Sequence, residues 1–115
     1  MNPRDRVRLQ HLADALNSAI RFVQGRERGD LDGDEMLLFA LVRAVEMAGE
    51  AASQIPDETR AQLSDLPWNS MVGMRNRLVH AYFDIDRDIR WATVTGAAPP
   101  LVERLKNVLS AGEAG

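Results

Sequence analysis

Apolar residues in this chain recur at steps of three and four, the spacing that lines one face of an α-helix. Leu9, Leu12, Leu16, Ala19 and Val23 form the first such series, following Pro3, a residue suited to an opening helical turn, so a helix of about five turns is expected. Residues 25–33 are polar and punctuated by Gly25, Gly29 and Gly33, and read as a surface turn between antiparallel helices. Asp32 or Asp34 can cap the next helix. Over residues 35–55 there are two apolar seams: Leu38, Leu41, Val45, Ala48, Ala52 and Ile55 form one, and Leu37, Ala44, Met47 and Ala51 the other. A helix apolar on two faces must be covered on both, which makes this the central, mostly buried element.

The second half continues the pattern in shorter pieces. Pro56 starts a short helix with Asp57 and Glu58 in its first turn, and Asp65-Leu66-Pro67 closes it. A helix then runs from Trp68 to Tyr82 or Phe83, with Trp68, Met71, Val72, Leu78, Val79 and Phe83 on its apolar side and Gly73 small enough for a close helix approach. Asp84-Ile85-Asp86 breaks it, Asp86 caps a helix over residues 87–95, and Gly96-Ala97-Ala98-Pro99-Pro100 interrupts before a final turn or two over 101–109. Residues 110–115 are expected to fray. The fold class is therefore all-α, an antiparallel bundle of four to five helices in a single domain spanning residues 1–115. Composition agrees, since alanine, leucine and arginine dominate and the strand-filling Thr, Tyr and Ile are scarce.

Composition also narrows the function. With no cysteine, disulfides, thiolate-ligated zinc and thiol catalysis are excluded. A net charge of -3 argues against a protein that coats nucleic acid through a general basic field, so any RNA contact must be local. Arg75, Arg77, Arg87 and Arg90 with His80 could form such a local patch, set against three aspartates; a solvated mixed-charge face is the alternative. The start of the chain lacks the apolar core of a signal peptide, and no apolar run approaches the roughly 20 residues of a membrane span. A cytoplasmic protein without membrane contact is expected.

Most of the chemistry sits in Arg75-Asn76-Arg77-Leu78-Val79-His80-Ala81-Tyr82, which holds one of two histidines and the only tyrosine. A guanidinium binds phosphate bidentately, and an imidazole moves a proton near neutral pH. Asn76 and His80 lie one turn apart on an ideal helix, whereas Arg75 and His80 diverge by about 140° with a rise of about 7.5 Å. Arg75 aligns instead with Met71, Leu78 and Tyr82, an otherwise apolar face. A guanidinium there must have a carboxylate partner, line a cleft or face another subunit. Glu46 and Glu50 offer the first, one of them orienting Arg75 or His80; alternatively Glu46 only pairs with Arg43 along its own helix. No His or Asp/Glu spacing suggests a metal site. A histidine that accepts a proton from a ribose 2′-hydroxyl, beside an arginine that stabilises the phosphate, suffices for metal-free RNA cleavage. One histidine cannot serve as both base and acid, and a symmetric dimer would supply a second copy. His80 as a residue favoured by a helix C-terminus and Tyr82 as an amphipathic core edge is the alternative without chemistry.

The run from Trp68 through Asn69-Ser70-Met71-Val72-Gly73-Met74 and the octapeptide to Phe83-Asp84-Ile85-Asp86, with Asp88-Ile89 and Trp91, resembles the signature of HEPN-domain proteins of the HepT type. The similarity reaches upstream to Glu46-Met47-Ala48-Gly49-Glu50 and downstream to Pro99, Pro100 and Leu101, and so covers nearly the whole chain. Ala81 stands where many relatives have glycine. The resemblance implies a homodimeric, metal-independent endoribonuclease toxin without a cofactor, in which Arg75 and His80 are catalytic, Asn76 assists and Arg77 is placed to touch RNA. It also implies a cognate MNT-type nucleotidyltransferase antitoxin that transfers AMP from ATP to Tyr82. The alternative within the resemblance is a non-catalytic HEPN module that binds the nucleotidyltransferase through the same face.

Overall fold

The computed structural model describes residues 1–76 and 87–114, and every described element is helical. α1, Pro3–Val23, starts at Asn2, whose side chain accepts the backbone N–H of Asp5 at 2.8 Å, with Pro3 in the opening turn. Leu9, Leu12, Leu16, Ala19 and Val23 are buried, as their spacing predicts. The helix ends where Gly25 takes φ +73°, a left-handed conformation that costs glycine nothing and other residues strain.

The connector is more ordered than a surface turn. α2, Asp30–Gly33, is a single helical turn, and Leu31 on it is buried in the core. This apolar residue inside a glycine-rich polar stretch pins the connector down. Asp34 then caps α3, Glu35–Ser53, by accepting the N–H of Leu37 at 3.0 Å.

α3 is the central helix, packed on α1 along one side and on α5 along the other. Leu38, Leu41, Val45, Ala48 and Ala52 are buried, and so are Leu37 and Ala44 of the second seam. Met47 of that seam stays 49% exposed, so the second face is only partly covered.

α4, Asp57–Gln62, comes directly after Pro56, and α5, Trp68–Asn76, begins directly after Pro67. The expected continuation of α5 through Tyr82 or Phe83, and the Asp86 cap, lie outside the described residues. α6, Arg87–Ala92, passes through a π-helical turn, Thr93–Ala97, into α7, Ala98–Ala114, which packs on α1. The expected interruption at Pro99 and Pro100 is absent. Both prolines occupy the opening turn of α7, where the missing N–H is tolerated. They cannot donate to the carbonyls one turn back, and the backbone there widens into the π turn. The Thr95 hydroxyl donates to the Trp91 carbonyl at 2.7 Å within it.

Candidate active site

Arg75 is placed by the contact between α3 and α5. That contact is close because Gly49 has no side chain: a Cβ added there would lie 2.3 Å from the Arg75 backbone nitrogen and 2.9 Å from its Cβ. The expectation that Gly73 serves the close approach is corrected, since a Cβ at Gly73 meets nothing within 4 Å. The smaller residue is needed on the central helix, which is enclosed from both sides.

From this position the Arg75 Nη1 reaches Glu50 Oε2 at 3.4 Å and donates to Ser53 Oγ at 3.2 Å. Of the three outcomes open to a guanidinium on this face, a carboxylate partner in the same chain is one that the geometry provides. The pair is not sealed: 41% of the Arg75 side chain and 52% of the Glu50 side chain remain open to solvent. Glu46 pairs instead with Arg43 at 3.4 Å along its own helix. Ser53 carried no sequence signal, because a serine near a helix end has many ordinary uses.

The end of α3 that presents Glu50 and Ser53 is held from outside. Arg60 donates from Nε to the Ile55 carbonyl at 2.9 Å and from Nη2 to those of Ala52 and Ser53 at 3.3 and 3.4 Å. Arg8 donates to the Gln54 carbonyl at 3.1 Å. These guanidinium groups satisfy carbonyls that a helix C-terminus leaves without intrahelical partners. Arg60 also lies 5.6 Å above the Trp68 ring, and the Trp68 indole donates to the Leu63 carbonyl at 2.9 Å. Both helices of the α3–α5 contact are thus tied to α4 and its flanks.

Glu50 also borders a groove of about 480 Å³ between α1 and α3, lined by Arg8, His11, Arg43, Glu46, Met47, Glu50, Ala51 and Gln54. An apolar groove adjoins it over Ala15, Ala40, Ala44, Phe22 and Met47, and His11 and Arg43 line both. His11 was not a sequence candidate. Nothing in its neighbours along the chain marks it, and only the packing of α1 against α3 brings it into one groove with Glu46 and Glu50.

Asn76 is the last residue of α5, and Arg77, His80 and Tyr82 lie outside the described residues. Of the residues considered for a local basic patch, Arg75, Arg87 and Arg90 are described and Arg77 and His80 are not. Arg75 meets Glu50, Arg87 lies 3.6 Å from Asp32, and Arg90 is 4% exposed. Among the described residues no three histidine or carboxylate side chains gather closely enough to hold a metal ion. None of the described helices is long and apolar enough to cross a membrane.

The sequence profile described as ribonuclease HepT-like matches residues 12–108. A candidate RNase of Caldanaerobacter subterraneus subsp. tengcongensis is 35% identical over 101 residues, covering 88% of this chain and 90% of that protein. A candidate RNase of Methanocaldococcus jannaschii is 31% identical over 109 residues, 94% of this chain and all of its counterpart at 100%. The probable ribonuclease HepT of Thermococcus cleftensis is 34% identical over 93 residues, 81% of this chain and 84% of its own. No solved structure matches.

Proposed function

The chain belongs to the ribonuclease HepT-like family, and on that premise we propose that it is a metal-independent endoribonuclease acting as a homodimer, the toxin of a pair whose antitoxin is an MNT-type nucleotidyltransferase. The observation that carries the reading is the extent of the family match, residues 12–108, which takes in the whole Arg75 to Tyr82 motif and the α3 surface that meets Arg75.

His80 removes the proton of a ribose 2′-hydroxyl, the 2′-oxygen attacks the adjacent phosphorus, and the 5′-oxygen leaves with a proton from the other copy's histidine. Arg75 stabilises the charge gathering on the phosphate, and Asn76 adds a hydrogen bond. Glu50 and Ser53 both engage Nη1 of Arg75 and so help to aim its guanidinium. Arg77 contacts the RNA backbone.

The exposed apolar residues support the two-chain reading. Met36 and Met47 are 84% and 49% exposed and stand about 20° apart around α3. Phe22 of α1, 38% exposed, lines the same groove as Met47. Large apolar side chains open on adjacent helices suit an isologous interface.

Regulation falls to Tyr82. Its hydroxyl attacks the α-phosphorus of ATP on the partner enzyme, AMP is transferred and pyrophosphate leaves. The added bulk and negative charge then oppose an incoming RNA phosphate.

RNA cleavage in EDTA by the wild type and His80→Ala tests the reaction: the wild type should cut and the variant should not, and equal cleavage removes His80 from the mechanism. RNA with 2′-deoxy or 2′-methoxy at the cut site should survive. Intact mass after incubation with the nucleotidyltransferase and ATP should rise by one AMP in the wild type but not in Tyr82→Phe. A tight complex with the nucleotidyltransferase and no RNA cleavage at all would instead identify a non-catalytic binding module.

A further inference from the structure

The motif region includes an aspartate, Asp88, to which the cleavage chemistry gives no task. In the structure it occupies the first turn of α6, and its Oδ1 accepts from Nε of Arg28, 60 residues earlier in the connector between α1 and α3. The same guanidinium donates from Nη1 to Asp32 Oδ1 at 3.1 Å, and that carboxylate oxygen lies 3.6 Å from Arg87 Nε. Four side chains of alternating charge thus join the connector to the start of α6. The connector is a firm base, because Leu31 is 1% exposed and Asp30 accepts the Glu27 N–H at 2.8 Å. Hydrogen bonds from Asp88 first and Asp32 second raise the pKa of Arg28 above the ordinary arginine value.

Location gives this network its meaning. α6 begins directly after residues 77–86 in the sequence, which include His80 and Tyr82. The other end of that segment adjoins Arg75, which is seated on α3 through Gly49, Glu50 and Ser53. Exposed ion pairs add little to stability, so a four-membered network across two distant segments is better suited to fixing position than to holding the fold. Only an arginine can bridge in this way, one carboxylate on Nε and another on Nη1; a lysine has a single charged nitrogen.

We propose that Arg28, seated on Asp32, is a positioning residue that fixes Arg87 and Asp88 at the start of α6 and thereby supports the RNA cleavage assigned to the Arg75 and His80 motif. The role rests on the ribonuclease reading and is tested in the full-length chain with Arg28→Gln, Asp88→Asn, their double variant and Asp88→Glu. Each charge-removing single variant lowers kcat about tenfold, the scale of a small misplacement of a catalytic group, while KM stays within about twofold. The double variant is no worse than either single one, because both break one link. Asp88→Glu recovers most of the rate. Hydrogen exchange supplies a readout independent of activity: amides of residues 87–92 exchange faster in the charge-removing variants, while those of α1 and α3 do not change.

Unchanged exchange at α6 overturns the proposal, as does an unchanged kcat alongside faster exchange, an additive double variant, or a loss carried by KM. A wild type that cuts no RNA sinks the ribonuclease reading instead, and the clamp then stands or falls on the exchange.

Discussion

A glycine inside a helix costs about 1 kcal/mol relative to alanine, and α3 carries one at position 49 among residues that otherwise favour helix. Its compensation is the approach of α5, whose Arg75 backbone nitrogen occupies the space a methyl group would need. Gly49→Ala therefore gains the propensity term but loses about 1–3 kcal/mol to overpacking, for a net destabilisation of about 1 kcal/mol read by urea denaturation. Its effect on cleavage is larger than its effect on stability, since the displaced backbone belongs to Arg75 itself. A wild-type kcat in Gly49→Ala would remove this contact from the site. A second residue at this scale is Asp5, 1% exposed, which accepts the Thr59 hydroxyl at 2.5 Å and ties α1 to α4. Asp5→Ala leaves that hydroxyl without its acceptor and costs about 2 kcal/mol. Thr59→Val added to it costs less than the sum of the two single changes, which a double-mutant cycle in denaturant measures. Sequence alone marks neither Asp5 nor Ser53, because burial of a polar side chain depends on which distant helix covers it.

Among the elements, α3 is the one on which the site depends, and its two ends are secured differently. Asp34 closes the N-terminus locally, three residues from the N–H it accepts, whereas Arg60 closes the C-terminus from the next helix. Arg60→Ala removes the side-chain donor to the Ile55 and Ser53 carbonyls and loses the stacking on Trp68, a cost of about 1–2 kcal/mol on thermal or chemical unfolding. If stability is unchanged, the cap is dispensable. This difference also explains what could be read in advance. The α1 stripe, the start of α3 at Glu35, the short helix after Pro56 and the start of α5 at Trp68 rest on signals within a few residues of one another, and the structure agrees with each. The one-turn α2, the burial of Arg90 and the continuous path through Pro99 and Pro100 into α7 depend on contacts made elsewhere in the fold, and local rules missed them. Pro99 and Pro100 show the reason: a proline pair signals a break unless the carbonyls it strands have another arrangement, here a π turn. The same holds for the site, where Arg75 and Glu50 could both be named from the sequence but their meeting required Gly49.

At the scale of the whole molecule, one chain carries a single Arg75 to Tyr82 motif, and acid–base cleavage calls for two proton carriers. The exposed side chains of Met47 and Phe22 border the α1–α3 groove, whose polar end is walled by Glu50, the partner of Arg75. If two copies pack through this surface, activity and assembly must fail together. Met47→Glu places a charge at the centre of the contact, where its desolvation is uncompensated, while in the free monomer the residue is exposed at 49% and the substitution is nearly neutral. The expected result is a chain that melts within a few degrees of the wild type, scatters light as a monomer at micromolar concentration and has lost at least about tenfold in specific cleavage rate. Dilution separates this from a local effect on the groove. For the wild type the rate per chain should decline as concentration passes below the dimer dissociation constant, whereas for the monomeric variant it should stay low and flat. A wild type that is monomeric by light scattering yet cleaves at a constant rate per chain would place both proton carriers within one copy, and His11, the only histidine besides His80, would become the residue to replace next.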